Sequence, residues 1–157
     1  MDSSRWVELV LLGHSGLEQY AVLLVRVSLG LFFAISGANK LFVAERTQTM
    51  YETLVSARVP FPRLMTHFVS GVEFFGGFSL VLGFLSSLTC LALLIEMLVA
   101  TVTTAVSTIR KGLSPLNWLD DFLYLPEVLY VLLLIWLIGS GPGKFSADSW
   151  IAGRLLK

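Results

Sequence analysis

The stretch "LTCLALLIEMLVATVTTAV", residues 88–106, decides the fold class. As a helix it would extend about 28 Å at 1.5 Å per residue, close to the roughly 30 Å of a bilayer's hydrocarbon core. Its one charge, Glu96, sits in the middle of the run. A charged side chain at that depth costs about 2.5 to 3.5 kcal/mol on insertion scales, so Glu96 needs a partner or a task.

The rest of the chain agrees with a membrane setting. Of 157 residues, 55% are hydrophobic and 14% charged, and the mean hydropathy is +0.79. A water-soluble domain of this composition would lack the polar surface to cover itself. Eleven basic residues balance eleven acidic ones, which leaves no basic field to attract nucleic acid. Cys90 is the only cysteine, so the chain has no internal disulfide and no CxxC redox pair. The N-terminal segment "MDSSRWVELVLLGHSGLEQY" has no small-residue cleavage pattern and is expected to be retained.

Four segments approach the 20 or so apolar residues that a crossing needs: 20–42, 64–84, 86–106 and 122–140. The expected fold is all-α, an integral membrane four-helix bundle forming a single domain over 1–157. The second and third spans are joined only by "FLSS" and are therefore antiparallel neighbours. Between the first and second, Met50 and Leu54, and Tyr51 and Val55, stand four apart among polar residues. That spacing suggests a short interfacial helix ended by Pro60 and Pro62. In the third connection, Gly112 and Pro115 suggest irregular chain, Trp118 suits the headgroup level, and Asp120 or Asp121 can cap the last helix. Pro126 either kinks that helix or is its first residue, in which case Glu127 lies at a helix N-terminus. Arg5, Lys144, Arg154 and Lys157 on one side face Lys40, Arg46, Arg58, Arg63, Arg110 and Lys111 on the other, an asymmetry too small to fix orientation.

Five ionisable residues fall in or at the ends of the spans: Arg26, Lys40, Glu73, Glu96 and Glu127. Alternating helix directions put Lys40 and Glu127 on one membrane side, as an expected pair. Glu73 and Glu96 lie near mid-span, and Arg26 about 7 Å from the middle of the first span, within reach of its long side chain. Arg26, Glu73 and Glu96 are therefore expected to form an intramembrane cluster. Arg26, Gly30, Phe33, Gly37 and Lys40 repeat at helical spacing, so both bases share an inward stripe. Gly76 and Gly77 beside Glu73, and Thr89 and Thr103 a heptad either side of Glu96, belong to the small and hydroxyl residues of close helix contacts.

Two bases against three acids leave one carboxyl without a cation, and that group is expected to hold a proton. It would exchange that proton with a quinone or another substrate; alternatively, the whole set serves only to lock the helices together. His14 and His67 form no ligand-spaced cluster, so no metal site is expected. Phe32, Phe33, Phe68, Phe74, Phe75 and Phe78 could flank a flat head group, but packing or lipid contact is the favoured reading, since phenylalanine is common in any membrane bundle. The glycines of "GVEFFGGFSLVLG" lack the strand-turn-helix setting of a nucleotide loop. No nucleophile-histidine arrangement can be drawn, and no catalytic residue is assigned.

Three separated stretches resemble the DoxX-like family of small membrane proteins. "RVSLGLFFAISGANKL" (26–41) is similar to its first helix, "VEFFGGFSLVLGFLSSL" (72–88) to its second, and "GSGPGKFSAD" (139–148) to its closing G-P-G-x-x-S-x-D. The resemblance implies a four-helix membrane protein of the kind found as a subunit of thiosulfate:quinone oxidoreductase and near other redox complexes, in a prokaryotic cytoplasmic membrane. It implies that Arg26, Lys40 and Glu73 are polar residues inside the bundle. Gly141, Pro142, Gly143, Ser146 and Asp148 would form a closing turn, in which the glycines end the fourth helix and Ser146 and Asp148 bind freed backbone groups. The expected function is that of an accessory or membrane-anchoring subunit of a respiratory or redox complex, with lipid and other membrane subunits as partners. A quinone is the one cofactor considered, and none is expected to be covalently bound. The alternatives are a quinone-reactive subunit of thiosulfate:quinone type, or a stand-alone protein that uses its buried charges for small-molecule or proton transfer. The spans show no internal repeat of the kind on which many transporters are built.

Overall fold

The computed structural model describes residues 17–155, and the described secondary structure is helical. The N-terminal segment with Arg5 and His14, and the terminal Lys157, lie outside the described residues. The helices are α1 (Glu18–Phe42), α2 (Ala44–Ser56), α3 (Pro62–Leu82), α4 (Ser86–Thr103), α5 (Pro115–Leu123), α6 (Pro126–Ser140) and α7 (Ala147–Leu155), with a 3-10 turn, Ala105–Thr108, after α4. Three are long and apolar enough to cross a membrane: α1, α3, and α4 with its 3-10 extension. A fourth crossing exists if α5 and α6, bent by 65° at their junction, count as one span.

Proline chemistry sets several boundaries. Pro62, Pro115 and Pro126 each open a helix, where the missing N–H would have had no partner. The stretch around Pro115, expected to be irregular, is helical: α5 is capped by the Ser114 hydroxyl, which accepts from the Asn117 N–H at 3.4 Å. Asp120 and Asp121 lie inside α5 and cap nothing there. Pro126 disfavours helical backbone at the preceding residue, and Leu125 is accordingly extended. The apolar run that promised one helix over 122–140 is thus broken, and α6 begins at Pro126 with Glu127 in its first turn.

Between α3 and α4 the chain reverses at Gly83, whose φ of +67° is open to glycine without strain. The Gly83 N–H donates to Leu80 O and the Phe84 N–H to Ser79 O, the double bond of a Schellman ending. α2, 13 residues long, follows α1 after one extended residue, Val43, packs on α1 and α3, and buries none of its residues.

The α1 and α3 pair is the most extensive contact in the molecule. Glycine permits it: a methyl at Gly30 would stand 2.8 Å from Gly77 O, and one at Gly37 2.7 Å from Ser70 O. Small residues at such positions let helix backbones approach closely in lipid, where apolar burial gives little drive for association. Phe33, Leu80, Leu93 and Leu134 are fully buried and join α1, α3, α4 and α6 in one core. Leu24, Phe75, Leu88 and Val102 point outward and are more than half exposed, as lipid-facing side chains are in a membrane protein.

Candidate functional site

The antiparallel register of α1 and α3 decides which buried charges meet. Gly30 lies against Gly77 and Val81, Ser36 against Glu73, and Gly37 against Ser70 and Phe74. In that register Lys40 is about four residues, or 6 Å, along the axis from the position opposite Glu73, while Arg26 is about ten residues, or 15 Å, away. Lys40 reaches Glu73 and Arg26 does not.

The Lys40 ammonium donates to both Glu73 carboxylate oxygens at 2.6 Å. Glu73 is almost fully buried and the Lys40 side chain is 26% exposed. Ser36, one turn before Lys40 on the same helix face, donates to Glu73 Oε2 over a long 3.4 Å. From α4, Glu96 brings its carboxyl beside that of Glu73 and within range of the Lys40 charge. Its buried Oε2 has no hydrogen-bond partner among the described residues.

These groups open into a cavity of about 570 Å³. Its walls are largely apolar, with Phe32, Val72 and Met97 among them, and Met50, Thr53 and Leu54 of α2 cover one side. Glu127 and Tyr130 of α6 line it as well. Lys40 does not pair with Glu127, as the depth argument expected; Glu73 takes the lysine instead, and Glu127 keeps its place in the cavity wall.

Arg26 builds a separate polar centre at the other end of the helices. Its Nη1 donates to Leu80 O at 2.7 Å and Val81 O at 3.0 Å, and its Nη2 to Phe145 O at 2.6 Å. The guanidinium thereby occupies the negative end of the α3 dipole and binds carbonyls that the helix leaves free. The expected trio of Arg26, Glu73 and Glu96 is thus not assembled. Equating the midpoints of the apolar runs misplaces α3 against α1 by about one helical turn, and that offset gives Glu73 to Lys40 and leaves Arg26 to backbone carbonyls.

The closing stretch docks onto the Arg26 centre. α6 ends at Gly141, and the chain passes through Pro142 and Gly143, Gly143 lying against Val22 of α1. Ser146 donates to Gly143 O at 2.7 Å and accepts from the Ser149 N–H at 3.1 Å. The Asp148 carboxylate accepts from the N–H groups of Leu85 and Ser86 at 2.7 and 2.8 Å. It caps the start of α4, not the end of α6, and its own N–H donates to Gly83 O. Burial alone would raise the Asp148 pKa, but the Ser86 and Leu85 hydrogen bonds and the nearby Arg26 hold it below the usual Asp value.

A depressed carboxyl pKa stabilises the fold above the unfolded-state value, near pH 3.9, and that contribution fades as pH falls through the folded value. Asp148→Ala is expected to cost about 0.5 to 2 kcal/mol in detergent unfolding at neutral pH, the range for a lost N-cap. The difference from wild type should shrink on acidification below about pH 4; a difference independent of pH would show that the carboxylate charge is not what caps α4.

The DoxX family model matches residues 21–106, more than half of the chain. The chain belongs to the DoxX family. The matched part of this DoxX protein contains Arg26, Lys40, Glu73 and Glu96, and stops before the closing stretch 139–148. No curated protein and no solved structure is similar enough to the chain to count as a match. Together with the apolar helices, family membership makes this DoxX chain an integral membrane protein in contact with the bilayer.

Ser36, Tyr130 and the α2 residues Met50 and Leu54 belong to the cavity of the DoxX chain although the charge pattern did not select them. Ser36 carried a usable signal, the i, i+4 spacing to Lys40 on the glycine stripe. The α2 residues had only their amphipathic spacing, which marks a surface without saying what lies beneath it. Among the described residues no group of three or more His, Cys, Asp or Glu is placed to hold a metal ion.

Proposed function

We propose that this protein is an accessory, membrane-anchoring subunit of a respiratory or redox complex in a prokaryotic cytoplasmic membrane, and that its cavity contributes a quinone site. In this reading the chain is one four-span domain, with the bent α5 and α6 pair as the fourth span and α2 at the membrane interface above the cavity. The observation that supports it most is the joining of the buried Glu73 and the half-buried Lys40 and Glu96 to an apolar cavity of about 570 Å³. Ligand sites are typically apolar spaces of about 300 to 1,000 Å³ with a few converging polar groups. A quinone head needs hydrogen-bond donors at its carbonyl oxygens, and the apolar walls suit its ring and tail. Reduction to the quinol takes two electrons and two protons. The electrons come from a partner subunit, and the Glu73 and Glu96 carboxyls relay the protons.

Purification from native membranes in mild detergent, with mass spectrometry of bound proteins and quinones, tests this. The expected result is recovery with a cofactor-bearing partner and quinone, and at least a tenfold loss of quinone per assembled complex in Glu73→Gln. Recovery of the chain without partner or quinone contradicts it.

A further inference from the structure

The cavity has a charge pattern that a neutral ligand does not complete. Four elements supply the ionisable groups that face it: Lys40 from α1, Glu73 from α3, Glu96 from α4, and Glu127 with Tyr130 from α6; α2 contributes Met50, Thr53 and Leu54 and no charge. Among the described residues Lys40 is the only basic one in the lining, and its ammonium is already engaged on both oxygens of Glu73. Glu96 is left with a buried oxygen that no described group satisfies. With all three carboxyls ionised the lining would carry two negative charges in excess. Glu127 is only half-buried, but a charge on the buried, unpartnered oxygen of Glu96 is costly, so the space favours whatever brings one positive charge to Glu96.

We propose that the cavity binds one lipophilic organic monocation, which takes Glu96 as its counter-ion in exchange for a proton. In the empty cavity a proton supplies the missing charge. When a quaternary or protonated amine, or a phosphonium, enters, the Glu96 carboxyl gives that proton to solvent and the carboxylate remains beside the cation. The net charge of the cavity is the same before and after, and no covalent bond other than O–H changes. The apolar walls accept the hydrocarbon body. Phe32 and Tyr130, with ring centroids 4.4 Å apart in the wall, offer aromatic faces of the kind that attract cations. An anionic amphipath finds no free base there among the described residues, because Lys40 is committed to Glu73.

This goes beyond the redox reading and is separable from it, since the probe carries no electrons and needs no partner subunit. Radiolabelled tetraphenylphosphonium is dialysed to equilibrium against the full chain in lipid nanodiscs. The expected result is saturable binding of one cation per chain, with about one proton released per cation in weak buffer. E96Q, which keeps the shape of the side chain, should weaken binding at least tenfold and abolish the proton release. E45Q, on the exposed first turn of α2 and outside the cavity lining, should bind as wild type does. The proposal is overturned if folded E96Q binds tetraphenylphosphonium as tightly as wild type, if tetraphenylborate binds equally well, or if wild type takes up no more cation than empty nanodiscs. Should E96Q not fold, proton release from wild type decides: cation binding without it overturns the proposal.

Discussion

Gly77→Ala is expected to lower stability by about 3 kcal/mol, at the upper end of the range for overpacking a core. A methyl at Gly77 would collide with the backbone nitrogen of Ala34 and the carbonyl oxygen of Gly30. Neither is the end of a flexible side chain that can turn aside, so α1 and α3 must move apart as bodies. The same two helices carry Lys40 and Glu73, and separating them loosens the ion pair along with the packing. Gly71→Ala and Gly139→Ala, where an added methyl meets nothing within 4 Å, serve as controls and should change stability little. Thermal unfolding in detergent, followed by helical circular dichroism, provides the comparison; a Gly77→Ala protein that melts with wild type would mean that the helices do not approach as described.

Lys40→Met should cost about 3 to 5 kcal/mol, because it leaves Glu73 buried without its cation. Removing both partners, as Lys40→Met with Glu73→Leu, should restore most of that loss, since apolar replacement of a buried pair is often neutral or better. A double-mutant cycle on unfolding free energy measures the coupling. If the single and double variants are equally unstable, Lys40 acts through something other than Glu73. Glu127→Gln is the contrasting substitution: no ion pair joins Glu127 to Lys40, so it should leave stability nearly unchanged.

Much of the architecture was legible because lipid imposes a simple rule on sequence. A crossing must be long, apolar and helical, so the ends of α1, α3 and α4 fall within a few residues of the limits drawn from hydropathy. The break before Pro126 was legible only as one of two readings, since proline serves both as a kink and as a first residue. The partners of the buried charges were harder to read, because depth along a helix fixes partners only when the stagger between helices is known. That stagger comes from where Gly30 and Gly37 let the backbone of α3 approach, and hydropathy limits, which blur at the membrane surface, miss it by about a turn. The stripe pattern correctly put Arg26 and Lys40 on one inward face, yet it could not say that one serves a helix end and the other a cavity. Asp148 illustrates the same limit: its sequence position marked it as a binder of freed backbone groups without saying which, and the folded chain carries it to the N–H groups at the start of α4.

The central claim is that Lys40, Glu73 and Glu96 form the head of a ligand site and do more than fasten helices. The double variant Lys40→Met with Glu73→Leu separates these roles, because it removes the paired charges of that head, leaving only Glu96, while the helices stay packed. The decisive measurement is the quinone content of this variant, purified in mild detergent with its partners, against wild type at equal assembly. The predicted result is normal assembly with quinone reduced at least tenfold; an assembled variant that retains its full quinone would contradict the claim and leave the three charges a packing role alone.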